Sequence, residues 1–118
     1  MDIHFTARKF RAHKDVRDHA IEEVKKLDKY FDGIVRGDVI LSYERSVASI
    51  KTAEINLHVY GTVLSAREHS DDFHKSIGLA VDKLERQLTK YKTKIRKKNK
   101  KTLRSVKEKN LPPDEGEE

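Results

Sequence analysis

The sequence predicts an α+β fold, a β-α-β-β-β-α two-layer sandwich with a four-stranded sheet and both helices on one of its faces. Three observations predict it. Apolar residues alternate with period two in four short stretches, two longer stretches carry helical periodicity, and 118 residues suffice for a single two-layer core. The first β-α-β unit is expected to be a right-handed crossover, since that hand lets the helix pack back on the sheet. The other sheet face is then left open to solvent or to a partner.

The first strand covers residues 3–7, where Ile3, Phe5 and Ala7 alternate with His4, Thr6 and Arg8. From about His13 the period changes. Val16, Ala20, Val24, Leu27 and Phe31 recur at helical spacing, so residues 14–31 read as an amphipathic helix ended by Asp32-Gly33. A second strand is expected at 38–45, with Val39, Leu41 and Tyr43 facing one way. Ala53, Ile55, Leu57 and Val59 mark the third strand, Gly61-Thr62 a tight turn, and Val63 to Glu68 the returning fourth strand. Ser70-Asp71-Asp72 supplies an N-cap and acids for a long helix, on which Phe73, Ile77, Ala80, Val81, Leu84, Leu88, Tyr91 and Ile95 are apolar, running to about residue 97. Gly78 lies inside that helix, where it costs about 1 kcal/mol against alanine, and could mark close packing. Residues 1–98 thus form the domain, and 99–118, with Pro112-Pro113 and an acidic end, read as a mostly disordered tail.

Composition narrows the functional classes. Without cysteine there is no thiol catalysis, no disulfide and no cysteine zinc site. No apolar run approaches the roughly 20 residues of a membrane span, and the first residues lack a signal-peptide core, so the expected compartment is the cytoplasm. The net charge of +6 points to a polyanion, nucleic acid before membrane. Its distribution says more. Residues 1–91 carry 16 Lys/Arg against 15 Asp/Glu, residues 92–109 carry 10 against 1, and residues 110–118 contribute −4.

The second helix gathers its share of this charge into a stripe. Lys83, Arg86, Lys90, Lys94 and Lys97 share one side of a helix over about four turns, ~21 Å, beside the apolar face, and Lys92 and Arg96 widen it. An ordinary solvated face interleaves Glu with Lys at i, i+4, and Lys90, Lys94 and Lys97 have no acid at those spacings. A phosphate-backbone track explains the repulsion better than a bland surface does. On the first helix Glu22, Glu23 and Asp28 mix with Lys25, Lys26 and Lys29, and a solvated face serves equally well.

Other chemistry finds little support. Phe5, Phe31, Phe73 and Tyr91 lie on apolar faces, and Tyr43 and Tyr60 are the strand aromatics with a chance of exposure, too few for a base-stacking sheet. The six histidines lack metal-ligand spacing and are read as structural or solvated. Asp71-Asp72 is explained by helix capping, and no nucleophile elbow, phosphate loop or dinucleotide fingerprint occurs. No catalytic residue, metal, cofactor or small-molecule substrate is expected, so the chain reads as a non-enzyme.

The second helix resembles that of the ribosome hibernation promoting factors, which include the ribosome-associated inhibitor A proteins and were once described as sigma factor modulation proteins. The resemblance covers residues 1–97 and is carried by Asp72-Phe73, Ile77 and the run Val81-Asp82-Lys83-Leu84-Glu85-Arg86-Gln87-Leu88-Thr89-Lys90-Tyr91-Lys92. Met1-Asp2-Ile3, Lys26-Leu27-Asp28-Lys29-Tyr30-Phe31 and Val39-Ile40-Leu41 add to it. His13 stands where the family often has a Ser or Thr cap. The resemblance implies a fold similar to double-stranded RNA-binding domains, lodged in the small ribosomal subunit across the tRNA and mRNA sites of the decoding region, where it holds idle ribosomes inactive. Lys83, Arg86 and Lys90 match the family's basic positions on the second helix, and Lys26 and Lys29 those on the first. Arg8, Lys94 and Lys97 join the expected rRNA-binding set from the charge pattern alone.

Long family members carry a further dimerising domain, and this short chain looks more like the ribosome-associated inhibitor A type, expected to be a monomer when free. Residues 99–109 are expected to extend the RNA contact while the acidic end stays off the phosphates. Two rivals remain open: a general RNA-binding module or RNA chaperone of the same fold, and a protein-binding regulator of transcription.

Overall fold

The computed structural model describes residues 1–45 and 49–104, with side chains described through residue 95. The elements are β1 (Asp2–Arg8), α1 (Lys14–Lys25) followed by a 3₁₀ turn (Lys26–Lys29), β2 (Ile34–Glu44), β3 (Ile50–Val59), β4 (Thr62–Ser70) and α2 (Phe73–Arg104). Their order is the expected one. The sheet runs β1-β2-β3-β4, with β1 parallel to β2 and the other neighbours antiparallel. The chain groups into two units, Met1–Leu88 and Thr89–Glu118. The first holds the sheet, α1 and the opening half of α2; the described part of the second is the continuation of α2.

One face of the sheet builds the core of the first unit. Val39, Leu41, Ala53, Ile55 and Leu57 are fully buried there, as are Ala20, Val24 and Leu27 from the α1 segment and Ile77, Ala80, Leu84 and Leu88 from α2. Each of the larger side chains contributes about 1.5–3 kcal/mol by leaving water. Gly37 is what lets α1 settle on β2. A Cβ at that position would stand 3.1 Å from the Met1 sulfur, 3.3 Å from Val24 and 3.4 Å from Leu57. Ser76, fully buried at the start of α2, is satisfied by donating its hydroxyl to the Lys51 carbonyl at 2.7 Å and by sharing a 2.7 Å bond with the Ser70 hydroxyl.

Several boundaries differ from those read in the sequence. The α-helical bonding of α1 stops at Lys25 and tightens into a 3₁₀ turn, where the Tyr30 N–H meets the Leu27 carbonyl at 3.0 Å, so Phe31 lies beyond the helix. At its other end His13 is the N-cap, and its side chain makes no capping bond. Strand β2 starts at Ile34 instead of residue 38, because an irregular register between Ile34 and Arg36 breaks the alternation that would have announced it. Tyr60-Gly61, not Gly61-Thr62, forms the hairpin turn: Val59 pairs with Thr62, and Gly61 takes φ 85°. Ser70 closes β4, and Asp72 is the cap of α2, its carboxylate accepting the Lys75 N–H at 3.2 Å and its carbonyl the Ser76 N–H at 3.0 Å. Helix α2 continues to Arg104, so residues 99–104 are helical where tail was expected. The rest of the expected tail, 105–118, lies outside the described residues.

The opposite sheet face is polar. On it Arg36 holds Asp38 with two bonds, 2.9 Å from Nε and 3.1 Å from Nη2, and His58 Nε2 lies 2.9 Å from the same carboxylate. The hydrogen bond from Arg36, helped by that from His58, keeps the Asp38 carboxyl below the usual carboxylate range.

Two expectations follow from this packing. Gly78 has no neighbour within 4 Å of where a Cβ would sit, so it does not mark close packing, and Gly78→Ala should stabilise by about 0.5–1 kcal/mol, read as a rise of a few degrees in the melting temperature. Because folding lowers the Asp38 pKa, the unfolded chain binds more protons in the acid range. The stabilisation is therefore complete above the ordinary carboxylate pKa and is lost as pH falls through the folded value. Urea unfolding of Asp38→Asn beside the unaltered chain should show a deficit near pH 7 that closes as the pH falls through the folded-state value of Asp38.

Candidate nucleic-acid interface

Packing decides which residues of α2 can meet a partner. With Phe73, Ile77, Val81, Leu84 and Leu88 turned to the sheet, a rotation of about 100° per residue distributes the rest over two flanks and an outer crest. Lys83 falls on the flank toward β4, and its ammonium pairs with the Glu68 carboxylate of that strand. Glu85 falls on the flank toward α1, where it accepts a hydrogen bond from Tyr30 and, through its charge first, raises the pKa of that phenol. Arg86 stands exposed on the crest, with no acid paired to it among the described residues. The side-chain amide of Gln87 donates to the Ser65 carbonyl of β4 at 2.8 Å and ties the helix to the strand.

The sequence did not assign Lys83 a partner, since Glu68 is fifteen residues away. The signal was nevertheless present in the alternation Leu64, Ala66, Glu68, which turns Glu68 to the helix side. Lys83 remains half exposed, and an exposed pair of this kind is worth at most about 1 kcal/mol. Its ammonium can therefore be shared with a phosphate.

The other expected contacts lie on separate surfaces. Lys26 and Lys29 sit in the 3₁₀ turn after α1, both exposed, with Lys26 bonded to Glu23 at 2.8 Å; that bond is the main cause of its raised pKa. Both also complement the C-terminal end of the helix dipole. Arg8 ends β1 on the polar sheet face, opposite in alternation to Ile3, Phe5 and Ala7, so the sheet separates it from Lys83 and Arg86. In the second unit Lys90 and Lys94 are exposed one helical turn apart, and Thr93 bonds back to the Thr89 carbonyl at 3.1 Å. Lys97 lies within the helix, and its side chain is outside the described residues.

Exposed cations on a helix suit phosphate contacts, whose affinity comes from released counterions. The polar sheet face carries no Phe, Tyr or Trp on its strands among the described residues. Tyr43, expected on the side of Val39 and Leu41 with a chance of exposure, is turned to the helix side and stands 6.3 Å from Phe73 in an edge-to-face contact. The histidines are dispersed: His4 beside Asp2 at 3.1 Å, His58 beside Asp38, and His19 stacked on His74 with ring centres 4.4 Å apart. Among the described residues no group of three or more His, Asp or Glu side chains is placed to hold a metal ion, and no helix is long and apolar enough to cross a membrane.

Residues 3–96 match the family model described as Sigma 54 modulation protein / S30EA ribosomal protein. The chain is 32% identical to the ribosome hibernation promoting factor of Azotobacter vinelandii over 94 residues, which cover 80% of this chain and 85% of that protein. It is also 32% identical to the ribosome hibernation promotion factor of Bacillus subtilis over 83 residues, covering 70% of this chain but only 44% of that relative. Among solved structures, the N-terminal domain of Thermus thermophilus Protein Y superposes with a TM-score of 0.69 at 28% identity, covering 77% of this chain and 99% of that one. A ribosomal subunit interface protein from Coxiella burnetii gives 0.71 at 26%, covering 79% and 99%.

The Lys83 and Glu68 pair yields a direct expectation. Glu68→Gln should change stability by less than about 1 kcal/mol, and by freeing Lys83 it should raise the salt concentration at which the protein leaves a heparin or duplex-RNA column. Elution at unchanged salt would mean that Lys83 does not face the polyanion.

Proposed function

The chain belongs to the Sigma 54 modulation protein / S30EA ribosomal protein family, and from that premise we propose that it is a ribosome hibernation factor acting without catalysis. It binds the rRNA of the small subunit in the decoding region and excludes tRNA and mRNA from idle ribosomes in the cytoplasm. The observation that carries this reading is the family match over residues 3–96, which takes in the exposed basic positions of α2. The relatives named for ribosome hibernation support the partner, and the charge pattern supports the means of contact.

In this reading Lys83, Arg86, Lys90, Lys94 and Lys97 contact phosphates from α2, with Lys26 and Lys29 from the turn after α1 and Arg8 from the sheet as secondary contacts. A-form RNA offers its phosphates and ribose hydroxyls in a fixed shape, so a helix-borne row of cations recognises geometry ahead of sequence. Inhibition is steric. Residues 1–98 form the ribosome-binding domain, the segment from 99 onward adds a salt-dependent contact, and the free protein is a monomer.

Cosedimentation through sucrose gradients tests this. The unaltered chain should travel with small subunits and single ribosomes at low salt, and the triple variant Lys83→Glu, Arg86→Glu, Lys90→Glu should stay at the top while melting within about 5 °C of the parent. A folded triple variant that still sediments with ribosomes would overturn the assignment of α2. Absence of the unaltered chain from every ribosomal fraction, with co-purification of a transcription protein, would favour a regulator of transcription.

A further inference from the structure

At the end of the first unit where α2 starts, about 15 Å of helix from Lys83, lies a feature that phosphate binding by α2 does not use. The β1 to α1 loop, the outer end of β2, the beginning of β3 and the start of α2 enclose an open cleft of about 580 Å³. This is within the ordinary range for small-ligand sites, about 300–1,000 Å³.

Three aromatic rings form its floor. Phe10 lies parallel to Phe73 with centres 5.1 Å apart and planes within 5°, and it meets Tyr43 edge-on at 6.2 Å. A plug for the end of the core would need only these apolar rings, yet cations are laid against them. The Arg45 guanidinium sits 5.1 Å from the centre of the Tyr43 ring and the Lys51 ammonium 4.8 Å from it. Lys51 is held by a 3.3 Å bond to the Asp71 carbonyl, and Arg45 is exposed and meets no acid among the described residues. Arg11 adds a third cation to the lining.

The two carboxylates in the lining are engaged at helix starts. Asp72 accepts the Lys75 N–H at 3.2 Å, and Asp15 accepts the Val16 N–H at 3.1 Å. The backbone flanking the cleft is strained as well. Lys9, just before Phe10, and Ser49, two residues before Lys51, adopt φ of 61° and 50°, a left-handed conformation that side-chain-bearing residues avoid unless their surroundings impose it. An exposed guanidinium held over a tyrosine ring sets a cation beside an aromatic surface, and guanidinium planes and aromatic rings are the groups on which nucleic-acid-binding proteins stack an unpaired base.

We propose that this cleft binds one nucleotide unit, its base stacked on the Arg45 guanidinium over Tyr43 and its phosphate drawn to Arg11 and Lys51. The unit is either a free mononucleotide or a nucleotide turned out of an RNA strand. The site is independent of the ribosomal reading, because its ligands are small and its readout is local to the cleft.

Amide correlation spectra of the full chain, titrated separately with adenosine monophosphate, a single-stranded tetra-adenylate and inorganic phosphate, test the proposal. Saturable shifts are expected at Phe10, Arg11, Tyr43, Arg45 and Lys51 with the two nucleotide probes. Binding at least tenfold tighter for the tetranucleotide supports the proposal with an RNA strand as source, and comparable affinity supports it with a free nucleotide. Arg45→Ala, an exposed change that leaves the core intact, and Tyr43→Leu, which keeps an apolar filler, should each weaken nucleotide binding about tenfold. Val63→Ala, an exposed change on β4 outside the lining, should leave it within twofold. Equal binding of inorganic phosphate, or no saturable shift at the cleft at millimolar nucleotide, would overturn the proposal whatever the cosedimentation result.

Discussion

The apolar stripe of α2 lying on the sheet is the constraint from which the rest of the molecule's surface chemistry follows. Ile77, Leu84 and Leu88 are fully buried, and each is worth about 1.5–3 kcal/mol by its removal from water. Rotating the helix by one residue would drive Lys83 or Glu85 into that layer and expose the leucines, at a cost several times any surface ion pair. The core therefore fixes the azimuth of every charged residue on this half of α2. Lys83 reaches β4, Glu85 reaches Tyr30 and Arg86 points to solvent because hydrophobic burial leaves them nowhere else.

Electrostatics then works on positions that packing has already assigned. The first 91 residues are close to neutral in sum, and at physiological salt each exposed charge acts mainly within about 8 Å. Acids and bases are sorted locally. Glu68 tethers Lys83, Glu23 tethers Lys26, and Arg36 with His58 surrounds Asp38 on the other sheet face. A polyanion approaching α2 at Lys83 and Arg86 meets an untethered guanidinium and an ammonium whose partner is weakly held, which is a surface that exchanges partners at low cost.

How much of this was legible depended on whether a pattern was local. The alternation of Ala53, Ile55, Leu57 and Val59 and the spacing of Ile77, Val81, Leu84 and Leu88 yielded β3 and α2 directly, since each side chain reports its own burial. The start of β2 was hidden because its pleat is irregular between Ile34 and Arg36 and because Gly37, buried against Val24, has no side chain to betray it. The same loss affected the candidate site. Periodicity shows that Lys83, Arg86 and Lys90 share a helical side, but not that a β4 glutamate waits for the first of them or that Arg8 lies beyond the sheet. Phe10 sits in a connecting segment without any period, so nothing in its neighbourhood announced that it meets Tyr43 beside Arg45.

The bond from Gln87 to the Ser65 carbonyl has a bearing on self-association. Strand β4 is the last in the sheet, and a terminal strand offers unpaired peptide groups on which another chain can template itself. Gln87 occupies one of those acceptors, and the Lys83 side chain, reaching Glu68 three residues further along, lies across the same margin. A recruited strand would have to dislodge both before it could zip onto β4. The helix that carries Lys83 thus also covers part of the β4 margin against strand addition.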